Sequence, residues 1–323
     1  MTRKAGISMN RRTFVGSAFA GMTVLGLKAE APKPASGSIP MRDFGKTGVK
    51  LTIVGQAGAR LALCRTREAA GKVVLHAYDL GINYFDCAHA YWAGHSEETY
   101  GDVLPPFRKN VFITTKSGQR TRAGAEKDLH ASLAAMKTDY LDLWQVHGIQ
   151  DMPDVERVFA PGGCIEAFEA AKQAGKCRFI GFTGHHDPSV HQEMLKRYDK
   201  WDSILMPLHA ADSAYMSFQE NVLPYAVERN IGIQAMKVFA NAFLLRVLSV
   251  DECLRYSLSL PISCATLGSS SVGQLNDNVR IAQNFKPYTP EEMKEVANLA
   301  VTAGPGGLQG AALEYWKVGG VWK

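Results

Sequence analysis

What this chain has little of narrows the field first. Its 323 residues include six cysteines, Cys64, Cys87, Cys164, Cys177, Cys253 and Cys264, and none of them forms a Cys-x-x-Cys pair. That spacing fits neither a zinc site nor an iron–sulfur run, so no metal is expected. In a chain this long they read mostly as small buried apolar side chains, with a disulfide open only if the protein is exported. No apolar run is long enough to span a bilayer, which takes about 20 residues. The charge excess is mild. Lys and Arg number 36 against 31 Asp and Glu, a net +5, and several of the cations lie in Met1–Arg12. No basic stripe carries interleaved aromatics, so nucleic acid is not an expected partner. A glycine-rich dinucleotide fingerprint is also missing. Gly55-Gln56-Ala57-Gly58 lacks the third glycine, which argues against an open doubly wound sheet.

What is present is the composition of a globular chain with a sizeable core, 46% hydrophobic and 21% charged. The N-terminus has the layout of a bacterial export signal. Arg11 and Arg12 precede a thirteen-residue, weakly apolar run from Val15 to Leu27, and Ala29-Glu30-Ala31 offers a small-x-small cleavage site. The paired arginines followed by Thr13-Phe14 resemble a twin-arginine signal, whose route carries folded proteins. The expectation is a periplasmic or otherwise exported protein that meets the twin-arginine machinery transiently, with a cytoplasmic location as the alternative. Pro32–Ser38 reads as a linker. Residues 1–38 are therefore assigned to signal and linker, and residues 39–323 to a single folded domain.

From Met41 onward short apolar runs alternate with amphipathic stretches. The runs are Leu51–Gly55, Ile82–Asp86, Val111–Lys116, Leu141–His147, Arg178–Thr183, Ser203–Leu208, Ile231–Lys237 and Ser263–Leu267. The helical stretches are Arg67–Leu80, Glu97–Leu104, Ala123–Lys137, Ile165–Ala174, Ser189–Tyr198, Glu220–Glu228 and Asp251–Leu260, followed by Gln274–Phe285 and Pro290–Ala300. Strands alternating with helices imply parallel strand–helix units. Eight such units in about 250 residues predict an α/β fold of the (β/α)8 TIM-barrel type. Ser96 before Glu97-Glu98 predicts a helix N-cap. Gly81, Gly175 and Gly232 fall where helices should end and strands begin.

In such a barrel the active site lies at the C-terminal ends of the strands. The second run ends at Asp86, with Tyr91 five residues on. The third ends at Lys116 and the fourth at His147. Each has a bland reading alone: a loop cap, a packing aromatic, a solvated lysine, a satisfied core histidine. Together they would meet at one mouth built by three successive strands. The set also suits one chemistry. Delivering a hydride to a carbonyl leaves an alkoxide that must be protonated. A tyrosine can give that proton, and a nearby ammonium should lower its ordinary pKa of about 10. Lys116 would supply the ammonium and Asp86 would hold it, while His147 would orient the carbonyl oxygen.

Gly81-Ile-Asn-Tyr-Phe-Asp-Cys-Ala-His-Ala-Tyr91 resembles the signature of the aldo-keto reductases, and Gly94-His-Ser-Glu97 the segment after it. Phe112-Ile-Thr-Thr-Lys116 and Leu141-Asp-Leu-Trp-Gln-Val-His147 resemble the next two motifs. The likeness runs from about Met41 to Phe285. It implies Asp86, Tyr91, Lys116 and His147 as a catalytic tetrad with Tyr91 as the acid–base, acting on a small carbonyl, alcohol or sugar.

The resemblance also implies a nucleotide site. Leu267-Gly268-Ser269-Ser270-Ser271 ends the last strand just before a helix, where backbone amides and hydroxyls can receive a phosphate. With Gln274 and Asn278 it resembles the family's site for the adenosine phosphate and adenine. Lys237 is placed to meet the pyrophosphate. The chain also departs from the pattern. Where the family commonly has Ser-Asn after the fifth strand and Gln on the sixth, it has Thr183-Gly184 and Leu205. A stacking aromatic near the seventh strand is Met236, and an arginine used by some members is Gln274. Thr183 keeps a hydroxyl for the cofactor. His185, His186 or His209 would replace a lost amide contact or shape the substrate pocket, to which Trp92, Phe239 and the tail with Tyr315 and Trp316 are further candidates. NADP(H) is favoured over NAD(H), because Ser269, Ser270 and Lys237 can bind phosphate. The run Gly181–His186 resembles a bacterial branch, some of whose members carry an iron–sulfur extension. No cysteine follows Cys264. Two rivals stand beside the reductase: a nucleotide-binding barrel serving as an accessory module, and an isomerase or hydrolase, which would need a metal cluster or carboxylate pair.

Overall fold

Apolar runs bounded by turn residues become strands, and the amphipathic stretches between them wrap around the outside. The structure, a computed structural model, describes residues 37–302 and 313–319. The expected export signal lies outside those residues. Chain entry is a small antiparallel hairpin, β1 (Met41–Asp43) and β2 (Lys50–Thr52). Eight parallel strands then close a barrel: β3 (Val54–Ala57), β4 (Tyr84–Asp86), β5 (Phe112–Ser117), β6 (Leu141–Val146), β7 (Cys177–Thr183), β8 (Ser203–Pro207), β9 (Gly232–Met236) and β10 (Cys264–Leu267). Neighbours follow chain order, and β10 pairs back onto β3. The expected (β/α)8 TIM barrel is the fold observed.

The helices are α1 (Arg67–Asp79), α2 (His95–Val103), α3 (Arg122–Ala135), α4 (Met152–Phe159), α5 (Cys164–Gln173) and α6 (Pro188–Arg197). After them come α7 (Phe218–Asn221), α8 (Leu223–Glu228), α9 (Val250–Ser259), α10 (Val272–Gln283) and α11 (Pro290–Thr302). Capping explains several starts. Thr66, Thr121 and Asp151 accept backbone N–H groups at the heads of α1, α3 and α4, and Ser249 with Glu252 forms a reciprocal capping box on α9. No described helix is long and apolar enough to cross a membrane.

The hairpin plugs the end of the barrel opposite its mouth. Phe44 and Leu51 pack on Tyr84, Phe112, Leu143 and Cys264, a cluster drawn largely from strand starts and separate from the main core. Gly232 belongs to this packing. It opens β9 as expected, and a Cβ there would meet the Phe44 ring at 2.4 Å, so its lack of a side chain also serves a close approach. Gly81 and Gly175 do adopt the left-handed conformation expected after helices, with φ of 92° and 71°.

Four further expectations are corrected. The run Leu51–Gly55 is two strands, because the chain turns at Ile53 between hairpin and barrel, and an unbroken apolar run hides such a turn. Glu220–Glu228 is two short helices that break at Val222, just before Pro224. Ser96 is not an N-cap: α2 begins at His95 after a left-handed Gly94, and the Ser96 hydroxyl donates to the Gly58 carbonyl at 2.9 Å. Helix α4 was not anticipated, although Asp151 followed by Pro153 is a start signal. All six cysteines are free.

Candidate active site

Three neighbouring strands deliver the polar groups. Asp86 is the last residue of β4, Lys116 lies at the end of β5, and His147 directly follows β6. Parallel pairing in register brings them to the same end. Tyr91 comes from the turn after β4. There Trp92 and Ala93 are both left-handed, with φ of 51° and 52°, a conformation that costs about 1–3 kcal/mol per residue and clusters at functional sites. The turn sets the Tyr91 ring edge-on to His147, with centroids 5.6 Å apart at 84°. Lys116 Nζ lies 5.0 Å from the centre of the Tyr91 ring. It donates to Asp86 Oδ1 at 2.6 Å and to the Cys87 carbonyl at 2.5 Å. Lysine and aspartate are 1% and 2% exposed, so the pair is screened from competing water. All four predicted residues meet at one place.

Burial dominates their proton affinities. Burial works to strip Lys116 of its proton, but Asp86 and Tyr91 more than offset this and its pKa rises. The ammonium is therefore secure. Burial raises Asp86 against the pull of Lys116. For Tyr91, burial outweighs Lys116 and the phenol pKa goes up. This corrects the expectation that the ammonium would lower it: Lys116 does pull down, but the desolvated ring has more to lose. Burial, then the charge of Lys116, pushes His147 down to about 3. It stays neutral near neutral pH, able to hydrogen-bond a carbonyl oxygen without carrying charge.

A cleft of about 680 Å³ opens from this cluster. Asp86, Tyr91 and His147 line one end, and Ser270, Gln274 and Asn278 the other. Between them Lys237 enters from the end of β9 with φ of 60°. Burial and the charge of Arg60 push its pKa down to about 8. Asn241 Oδ1 accepts from Arg60 Nη2 and from Lys237 Nζ, each at 3.2 Å. Arg60 and Asn241 were missed in the sequence. A basic residue just after the first barrel strand was a usable signal for Arg60. Asn241 depends on a left-handed turn, with φ of 54°, that no local pattern announces.

The loop expected to take a phosphate lines the cleft. Gly268 has no Cβ, and one placed there would meet Arg60 Cγ at 2.5 Å. Ser269 is buried, its hydroxyl accepting from Asn278 Nδ2 at 3.1 Å. Gln274 Oε1 accepts from the Ser270 amide at 2.8 Å, and Ser271 caps α10. Thr183, Leu205 and Met236 line the cleft. Gly184 is closed to any side chain: a Cβ would meet the Ile149 carbonyl at 2.5 Å and His191 Cε1 at 2.7 Å. Gly184→Asn, which restores the family's usual residue, is therefore expected to destabilise the fold by about 1–3 kcal/mol and not to improve nucleotide binding. Thermal melting and nucleotide titration of the variant check this.

The segment 313–319 packs beside the cleft. Lys317 Nζ reaches Asp212 Oδ1 at 2.9 Å and Glu314 Oε1 at 2.5 Å, and Glu314 meets His209 Nε2 at 3.0 Å. All four are fully buried. His209, Asp212 and Glu314 are spaced as cation ligands are, and the Lys317 ammonium provides the positive charge there. Trp316 lies under Lys237, 5.1 Å from Nζ to ring centre. Of the proposed pocket shapers, Phe239 and His185 line the cleft, while His209 is taken up beneath the tail.

The barrel mouth thus holds a buried lysine–aspartate pair, a tyrosine and a neutral histidine beside a long cleft lined by both Arg60 and Lys237 and by Asp86 and Asp277. The family model described as Aldo/keto reductase family matches residues 64–249, more than half of the chain, and this chain belongs to that family. It is 26% identical over 302 residues to the uncharacterized oxidoreductase YqkF of Bacillus subtilis, covering 78% of this chain and 94% of that one. It is 27% identical over 287 residues to L-galactose dehydrogenase of Arabidopsis thaliana, covering 75% and 87%. Among solved structures, the holo form of the aldo-keto reductase AKR11C1 of Bacillus halodurans superposes with a TM-score of 0.71 at 24% identity, covering 83% and 98%. An aldo-keto reductase of Klebsiella pneumoniae in complex with NADPH superposes at 0.65 with 19% identity, covering 84% and 96%. The chain is an NAD(P)H-dependent oxidoreductase of this family.

Proposed function

We propose that the protein reduces a small carbonyl, or oxidises the matching alcohol or sugar, with NADP(H) as cofactor and Tyr91 as the acid–base. The observation that carries this reading is the buried Lys116–Asp86 pair against the Tyr91 ring at the cleft mouth. The bound nicotinamide supplies or accepts the hydride. The protein handles the proton. His147 orients the substrate oxygen and Tyr91 Oη protonates it, with Lys116 stabilising the phenolate left behind. Protons from solvent restore the phenol. In the reverse direction Tyr91 takes the alcohol proton.

The cleft fits a dinucleotide phosphate. Arg60 and Lys237 offer cations midway along it, and Gly268, Ser269, Ser270, Gln274 and Asn278 form the far cradle. The same proposal places the enzyme in the periplasm, exported folded with its nucleotide already bound, on the strength of the Arg11-Arg12 signature. Fluorescence titration of the purified protein with NADPH and NADH tests the reading. NADPH should bind with enhanced nicotinamide emission and more tightly than NADH, and a carbonyl and sugar screen should then show turnover. Failure to bind either nucleotide would overturn the proposal, and tighter binding of NADH would overturn the cofactor preference.

A further inference from the structure

The turn that carries Tyr91 is strained, and its two feet are tied to each other outside the cleft. Trp92, Ala93 and Gly94 are left-handed in succession, with φ of 51°, 52° and 91°. Such backbone persists only where its surroundings hold it. The hold joins His89, before the turn, to Glu97, after it. His89 Nδ1 meets Glu97 Oε2 at 3.0 Å, and the Glu97 side chain is fully buried. A carboxylate accepts and does not donate, so Nδ1 supplies the hydrogen.

The same imidazole is joined to β5 on both sides of Lys116. The second oxygen of Glu97, Oε1, accepts from the Thr115 hydroxyl at 2.5 Å. On the far side Nε2 stands 4.0 Å from Asp128 Oδ1, and Asp128 Oδ2 accepts from the Ser117 hydroxyl at 2.6 Å. The His89 amide itself donates to the Lys116 carbonyl at 3.2 Å. Residues 115, 116 and 117 are thus each linked to His89, directly or through one carboxylate. A fully buried carboxylate is costly unless its oxygens are met. The two groups that meet Glu97 come from the Tyr91 turn and from the Lys116 strand, so the contact fixes those two elements against each other. His89 is half-buried and does not line the cleft, so any effect it has on the chemistry passes through its neighbours.

We propose that His89 is a positioning residue for the proton transfer. Its bond to Glu97 sets the Tyr91 hydroxyl against the Lys116 ammonium. This rests on the reductase reading above.

The test separates kcat from binding in two variants of the full-length protein, assayed with NADPH and p-nitrobenzaldehyde or the fastest carbonyl of the screen. His89→Leu keeps bulk and removes the N–H. His89→Asn places an amide N–H where Nδ1 stood. His89→Leu should lower kcat roughly tenfold, a part of the 10²-fold that a misplacement of about 1 Å can cost. Its substrate KM and NADPH affinity should stay within about threefold, and His89→Asn should recover most of the kcat. Melting temperatures show that both are folded, and His89→Ala is read in place of a leucine variant that is not. A leucine variant with the wild-type kcat overturns the proposal, as does a loss seen only in KM or in NADPH affinity. A loss that His89→Asn shares in full also overturns it, because the N–H would then not be the group that acts. In all three cases the reductase reading stands. A wild type that turns over no carbonyl with either nucleotide overturns both.

Discussion

Tyr91→Phe is expected to lower kcat for carbonyl reduction by roughly 10³-fold or more, near the upper part of the range for a positioned proton donor. That corresponds to about 4 kcal/mol of lost transition-state stabilisation. The substitution keeps the ring edge-on to His147 and over the Lys116 ammonium, so the fold and the cleft walls are preserved. Only the hydroxyl goes. Nucleotide affinity and substrate KM should stay within about threefold, because the hydroxyl acts in the transition state and not in ground-state binding. Stopped-flow or steady-state NADPH oxidation, beside a nucleotide titration, separates the two quantities. A fall in affinity with unchanged kcat would remove Tyr91 from the chemistry. The pH profile gives a second handle. Because burial raises the Tyr91 pKa, the donor stays protonated across the neutral range. Reduction should show no loss from Tyr91 titration until strongly alkaline pH.

The parts of this molecule that repeat were legible, and the parts that depend on one distant contact were not. Seven of the eight barrel strands lie within two residues of their expected ends, because each is an apolar run closed by a turn and buried on both faces. The tetrad was readable for the same reason: a barrel places the last residue of every strand at one mouth. Direction of a pKa shift was less readable. Spacing showed that Lys116 would approach Tyr91, but only the folded environment shows that burial wins. The role of Arg60 required the bend of the loop after β9, which brings Asn241 within 3.2 Å. Seeing that His209 is taken up away from the cleft required knowing where residues 313–319 pack, more than a hundred positions along the chain. The hairpin plug likewise rests on Phe44 meeting Gly232 across nearly the whole barrel sequence.

Acid should destabilise the protein well before its carboxylates are neutralised. Three histidines, His191 fully buried and His147 and His185 partly, have pKa values pushed down by desolvation: His147 to about 3, His185 to about 4 and His191 to about 4. In the unfolded chain each titrates near 6.5. Between pH 6.5 and 4 the unfolded state therefore binds protons that the folded state refuses. By linkage, stability is full above about pH 6.5 and falls as the pH drops through that window. Each histidine adds a slope approaching 1.4 kcal/mol per pH unit, so three give about 4 at the steepest. The carboxylates lowered by their ion pairs, Asp102, Asp154 and Glu156, add a loss of the same sign at the acid end, beginning as the pH falls toward the unfolded carboxylate range of about 4. Denaturant melts at pH 7.5, 6 and 5 should show the decline, and a flat profile over that range would refute it. His191 is the residue that separates this from active-site effects. It packs between Phe182 and Phe218 behind the cleft wall, with Nε2 unpartnered. His191→Gln should remove about a third of the pH slope while leaving nucleotide binding at pH 7.5 unchanged, because the side chain meets the aromatic layer and not the cleft.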